Sequence, residues 1–172
     1  MTKHLFLTGE KQVGKSTLLQ KLTAAFAAEH PGPTGGFITK RVYGILPAVW
    51  TVHLLPADGS AQPSEDNLLF VCRQPSKEDA ERFDALGCAA LAKAQRERCN
   101  LIVMDELGVY EKDALAFQTA VLQTLEGDIP VLGVLQQGDS DFLRKVAARP
   151  RVQVAWVDRD NREDMEHFLA LL

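Results

Sequence analysis

Cysteine is sparse in this chain. Cys72, Cys88 and Cys99 form an odd set with no C-x-x-C pair, which excludes a disulfide framework or a cysteine-built zinc site as the organising element. There is no apolar run of about eighteen residues, as a membrane-spanning helix requires, and no secretory signal at the start. Positive charge is also in deficit: 19 Lys and Arg face 23 Asp and Glu, for a net charge of −4. That balance argues against a surface that coats nucleic acid, so neither nucleic acid nor membrane is an expected partner. His4, His30, His53 and His167 are scattered without metal-ligand spacing and read as ordinary surface or core residues. Repeats and low-complexity tracts are absent, and the Pro/Gly-rich stretches 31–36 and 56–63 are short enough to be loops. What these absences leave is a reduced, soluble, cytoplasmic protein. With 172 residues at 46% hydrophobic, the expectation is one domain spanning 1–172 with a proper core.

Against that background one motif stands out: Gly9-Glu10-Lys11-Gln12-Val13-Gly14-Lys15-Ser16, followed by Thr17. It is a complete G-x-x-x-x-G-K-[ST] loop, which a chain of this length matches by chance roughly once in a hundred, given glycine at about 7% of residues. The glycines let the backbone curl so that successive N–H groups point at the β- and γ-phosphates. Lys15 supplies a point charge, and the Ser16 hydroxyl is placed to reach Mg²⁺. The flanks agree, because His4 to Thr8 reads as a buried strand and Leu18, Leu22, Ala25 and Phe26 recur at helical spacing until Pro31. The chain is therefore expected to bind nucleoside triphosphates.

Downstream, Gly36 to Tyr43, Ala48 to Leu55 and Asn67 to Cys72 read as an antiparallel meander, and Ser76 with Asp79 can cap a helix running to about Arg98. A regular alternation follows: strand from Leu101, helix Asp113 to Leu125, strand Pro130 to Leu135, helix Asp141 to Ala148, strand Val152 to Val157, helix Asn161 to Leu172. This predicts an α/β P-loop NTPase fold, a mostly parallel sheet with helices on both faces and the meander as an antiparallel extension. Trp50 and Trp156 each occupy one face of an alternating strand and are expected in the core.

Leu101-Ile102-Val103-Met104-Asp105-Glu106 is an apolar strand ending in two carboxylates, the Walker B pattern. Asp105 would hold Mg²⁺ opposite Ser16, and Glu106 would orient or deprotonate an attacking water. In isolation such a pair could equally cap a helix or face solvent. Gln136, after the Val131 to Leu135 strand, could sense a γ-phosphate or cap a loop.

Gly9 to Thr17, Gly36-Phe37-Ile38-Thr39, Met104-Asp105-Glu106-Leu107-Gly108 with Glu111, and Asn161-Arg162 together resemble the small P-loop nucleoside-triphosphatases of the cancer-related and thermophilic type. The resemblance implies a slow, Mg²⁺-dependent hydrolase of ATP, GTP and other triphosphates with little base preference, on a fold close to nucleotide kinases and RecA-like ATPases. It carries over Lys15, Ser16, Asp105 and Glu106 in the roles above, with Asn161 and Arg162 as neighbours of the base. The chain departs from the family pattern: Val109-Tyr110 replaces an expected Lys-Met, Lys112 stands in place of a leucine, and Lys40-Arg41-Val42-Tyr43 stands where acidic residues, valine and arginine are usual.

An arginine reaching the γ-phosphate would matter greatly for turnover. The candidates are Lys40, Arg41, Arg144, Lys145, Arg149 and Arg151, each alone also consistent with a solvated charge. Two other functions share the same phosphate loop. One is a small kinase, which would need an acceptor pocket and an arginine-rich lid such as Arg144 to Arg151; the other is a slow nucleotide-dependent switch acting through a partner protein.

Overall fold

The structure, a computed structural model, describes residues 4–44, 49–72 and 76–172. β1 (His4–Thr8) is buried on both sides, as its unbroken apolar run requires of a central parallel strand. It leads through the glycine loop into α1 (Lys15–Glu29), which packs Leu18, Leu19 and Leu22 inward. β2 (Thr34–Tyr43), β3 (Trp50–Pro56) and β4 (Leu68–Val71) form the meander, which confirms the expected antiparallel extension. The sequence-based start of its second strand, Ala48, lies outside the described residues.

α2 (Lys77–Arg96) opens on the anticipated capping box: the Ser76 amide donates to Asp79 Oδ2 at 2.7 Å, and the Asp79 amide returns a bond to Ser76 Oγ at 3.4 Å. Then come β5 (Leu101–Leu107), α3 (Leu115–Thr124), β6 (Val131–Leu135), α4 (Asp141–Ala147), β7 (Val152–Trp156) and α5 (Met165–Leu169). The seven strands make one sheet in the order β4-β3-β2-β5-β6-β1-β7, parallel from β2 through β7.

Helices cover both faces. α2, α3 and α4 bury Phe83, Leu91, Phe117, Val121 and Phe142 against one side, while α1 and α5 bury Leu18, Leu22 and Phe168 against the other. β6 lies between the phosphate-loop strand β1 and the acidic strand β5, so its carboxyl end opens between the two halves of the predicted site.

Three sequence expectations need correction. α3 starts two residues later than Asp113, because the chain first turns around Glu111, whose carbonyl accepts from the Ala114 amide at 3.0 Å. α5 is shorter than Asn161 to Leu172 because Asn161 serves a turn, its side chain accepting from the Asp158 amide at 2.9 Å and donating to Trp156 O at 2.8 Å. Trp156 is not in the core: it is 48% exposed, because β7 is the outer strand of the sheet and its face is covered at Val152 but open at Val154 and Trp156. Among the described residues no helix is long and apolar enough to cross a membrane.

Candidate active site

The loop after β1 has room only for glycine at its first position. Gly9 has φ +150, and a Cβ there would sit 2.3 Å from Val157 O. At the other end Gly14, at φ +106, caps α1 and accepts the Leu18 amide at 2.9 Å. Lys15 Nζ donates to Gly9 O at 3.0 Å and Glu10 O at 2.6 Å, which holds the ammonium against the loop. Lys11, Gln12, Ser16 and Thr17 join Gly9, Gly14 and Lys15 in lining a cleft of about 700 Å³. Val13 instead packs against the apolar core beneath the loop.

Across the cleft, the Ser16 hydroxyl donates to Asp105 Oδ1 at 3.2 Å, so the two predicted metal residues meet although 89 positions apart. Asp105 is only 7% exposed. Burial, followed by repulsion from Glu106, pushes its carboxyl up to about 6 against the opposing pull of Ser16 and Lys15. A hydroxyl beside a buried carboxylate is a hard-oxygen donor set, and it fits Mg²⁺.

Glu106, the next residue, faces the cleft and accepts a hydrogen bond from Gln136 Nε2. Thr39 fixes this strand end from β2, donating through Oγ1 to Asp105 O at 3.2 Å and accepting the Glu106 amide at 3.3 Å. Gln136 itself lines the cleft. Thr39 ends the Gly36-Phe37-Ile38-Thr39 motif, yet its contact follows only from the β2–β5 register, in which Ile38 pairs with Asp105.

Glu111 is 3% exposed and accepts the Gly108 amide at 2.9 Å, closing the turn behind Glu106. Burial drives its carboxyl from 4.5 up to about 7, only partly countered by its hydrogen bonds to backbone N–H groups. A carboxyl whose value is raised by folding favours the folded state while protonated, so its contribution is complete below the unfolded value and is lost as pH rises through about 7. Glu111→Gln keeps an acceptor for Gly108 and removes the titration. Its stability relative to the parent, measured by urea denaturation, is expected to improve between about pH 5 and about pH 8 by up to roughly 3 kcal/mol.

The remaining sequence candidates separate cleanly. Asn161 is committed to its turn, and Arg162 reaches the back of the loop, donating to Val13 O at 3.4 Å. Arg144 pairs with Asp139 and Asp141; Arg149 pairs with Glu126 at 3.1 Å and Arg151 with Asp128 at 3.2 Å. Lys40 and Lys145 are exposed and do not line the cleft, whereas Arg41 does. Val109 and Tyr110, the residues at which the chain departs from the family pattern, line it too.

A glycine loop between strand and helix, facing a buried aspartate and a neighbouring glutamate at the carboxyl edge of a parallel sheet, defines a P-loop nucleotide-binding protein. The profile of the family described as NTPase matches residues 4–169, and the chain belongs to that family. A nucleoside-triphosphatase THEP1 from Methanosarcina acetivorans is 31% identical over 169 residues, covering 92% of this chain and 90% of that protein. Among solved structures, THEP1 from Aquifex aeolicus superposes with a TM-score of 0.73 at 21% identity, covering 99% of both chains. A human cancer-related nucleoside triphosphatase superposes at 0.69 with 24% identity, covering 98% of this chain and 96% of that one. These two likenesses establish the fold expected from the sequence, an α/β P-loop architecture.

Proposed function

We propose that this protein is a Mg²⁺-dependent hydrolase that converts nucleoside triphosphates, ATP and GTP among them, to diphosphate and phosphate with little base preference. The observation that carries the reading is the pairing of Ser16 with Asp105 at 3.2 Å directly beside Glu106, in the same cleft as the phosphate loop. When bound, Mg²⁺ would supply charge neutralisation at the β- and γ-phosphates, held by Ser16 and Asp105. The loop amides and Lys15 bind and orient the triphosphate. Glu106, with its carboxylate fixed by Gln136, accepts a proton from a water aligned with the γ-phosphorus. Positioning and electrostatics supply the acceleration, with no covalent intermediate.

Two features favour hydrolysis over transfer to a metabolite. The space beyond Glu106, bounded by Thr39, Phe83, Tyr110 and Glu111, is about 110 Å³, room for a few waters but not a nucleoside. The arginines that could form a kinase lid are held in ion pairs with Asp139, Asp141, Glu126 and Asp128. The described cleft lining gathers at the phosphate end, which supports weak base selection. An odd cysteine count without a pairing motif supports a cytoplasmic setting.

The test is incubation of the protein and Mg²⁺ with γ-labelled ATP or GTP, with and without a pool of nucleosides and nucleotides. Label should enter free phosphate at the same rate in both, and Lys15→Ala should reduce that rate to background. Label passing into the pool would make the protein a kinase, and label remaining on bound nucleotide would make it a switch.

A further inference from the structure

Three cationic side chains line the cleft: Lys11, Lys15 and Arg41. Lys15 is already bonded to the loop carbonyls, and Lys11 belongs to the loop itself. Arg41 comes from the opposite wall. It is placed by register, because Ile38 pairs with Asp105 and Arg41 stands three residues further along β2. At 3.3 Å per residue that is about 10 Å beyond the level of Asp105, above the carboxylates rather than beside them. It shares a strand face with Thr39, which bonds to the Asp105–Glu106 backbone, while Lys40 alternates to the other face. Arg41 also borders the small space beyond Glu106, so its side chain stands where the cleft and that space join.

The guanidinium is held in a specific way. Its carbon lies 4.3 Å from the centroid of the Trp50 ring. Trp50 is the diagonal neighbour of Arg41 across the hairpin, since Arg41 pairs with Val52 and Tyr43 with Trp50. An aromatic face orients the planar fork without neutralising it and leaves its N–H donors free. Among the described residues the Arg41 guanidinium pairs with no carboxylate, unlike Arg144, Arg149 and Arg151. A preoriented, uncompensated fork facing a phosphate cleft is complementary to an anion that arrives with the substrate.

We propose that Arg41 is a catalytic residue that binds the γ-phosphate, an arginine supplied within the chain, with Trp50 as its positioning residue. The proposal rests on the reading of the cleft as a nucleoside-triphosphate site. On binding, the guanidinium bridges γ-phosphate oxygens and stabilises the charge on the equatorial oxygens as the bond to the leaving diphosphate breaks. Arg41 thereby makes the site selective for triphosphate over diphosphate.

The experiment measures dissociation constants for Mg²⁺ with ADP and with the non-hydrolysable imido analogue of ATP, alongside phosphate release, in the parent, Arg41→Ala and Arg41→Lys. In Arg41→Ala the preference for triphosphate over diphosphate should fall about tenfold with ADP affinity unchanged, the size expected for a lost charge-assisted hydrogen bond. kcat should fall by about 10³ and be partly restored by added guanidinium ion. Arg41→Lys should recover little, because an ammonium is a point charge without the fork. Retained ADP binding shows that the variants are folded, and Arg41→Gln is measured in the same way if the alanine variant does not fold. An unchanged triphosphate preference overturns the assignment whatever happens to turnover. If the parent releases no phosphate while the variant still loses its triphosphate preference, the hydrolase reading fails and the role of Arg41 in binding the γ-phosphate stands.

Discussion

Glu106→Gln should bind Mg²⁺ and nucleotide like the parent protein and hydrolyse it about 10²- to 10⁴-fold more slowly, the usual worth of a positioned general base. The substitution is nearly isosteric. The Gln136 amide that donates to Glu106 finds an acceptor in the carboxamide oxygen, and the Glu106 backbone bond to Thr39 is untouched. Loss of the charge also removes one of the two causes that raise the Asp105 carboxyl, so Asp105 is more fully ionised in the variant and metal binding is not weakened. The only group lost is the proton acceptor. Single-turnover phosphate release compared with equilibrium binding of a fluorescent nucleotide separates the two effects, since a base mutant changes the first and leaves the second. Turnover within a few-fold of the parent would transfer the base role elsewhere. Glu111, buried behind the same turn with its carboxyl near 7, would then be the group to test, and loss of hydrolysis in Glu111→Gln with Glu106→Gln active would identify it.

The parts of this site that are continuous in sequence were legible there, and the parts made by strand order were not. Gly9 to Thr17 and Leu101 to Glu106 each carry their structure locally, a loop between strand and helix and an apolar strand ending in acid. The contact between Glu106 and Gln136 depends on β6 lying between β1 and β5, and alternation of strands and helices does not specify which strands are neighbours. Thr39 and Arg41 reach the site for the same reason, through the β2–β5 register. Trp156 shows the converse: period-two alternation predicts a buried face for any strand, and only the position of β7 at the sheet edge decides otherwise. The shortened ends of α3 and α5 follow from the backbone carbonyl of Glu111 and the side chain of Asn161 being taken up by turns, a competition that propensity does not register.

Gly36→Ala should cost more than about 4 kcal/mol of folding free energy, a large part of the roughly 5–15 kcal/mol that holds a domain of this kind together. Gly36 lies in the parallel half of β2, opposite Val103, with φ +94. A Cβ there would stand 2.0 Å from Val103 O and 2.8 Å from Val103 N, both backbone atoms of the neighbouring strand. No rotamer change relieves a collision between backbones; β2 has to move off β5, and the ladder from Thr34 to Ile38 goes with it. That movement also withdraws Thr39 from Asp105 and Glu106 and carries Arg41 away from the cleft, so whatever folds should lose activity beyond its loss of stability. Gly59→Ala separates strain from collision. Its φ of +74 is equally unfavourable for a side chain, yet nothing lies within 4 Å of the added Cβ, and its cost should stay near 1–2 kcal/mol. Urea denaturation of the two variants reads the difference directly. If Gly36→Ala lies within about 1 kcal/mol of Gly59→Ala, the close approach of β2 to β5 is not what holds the catalytic strand end in place.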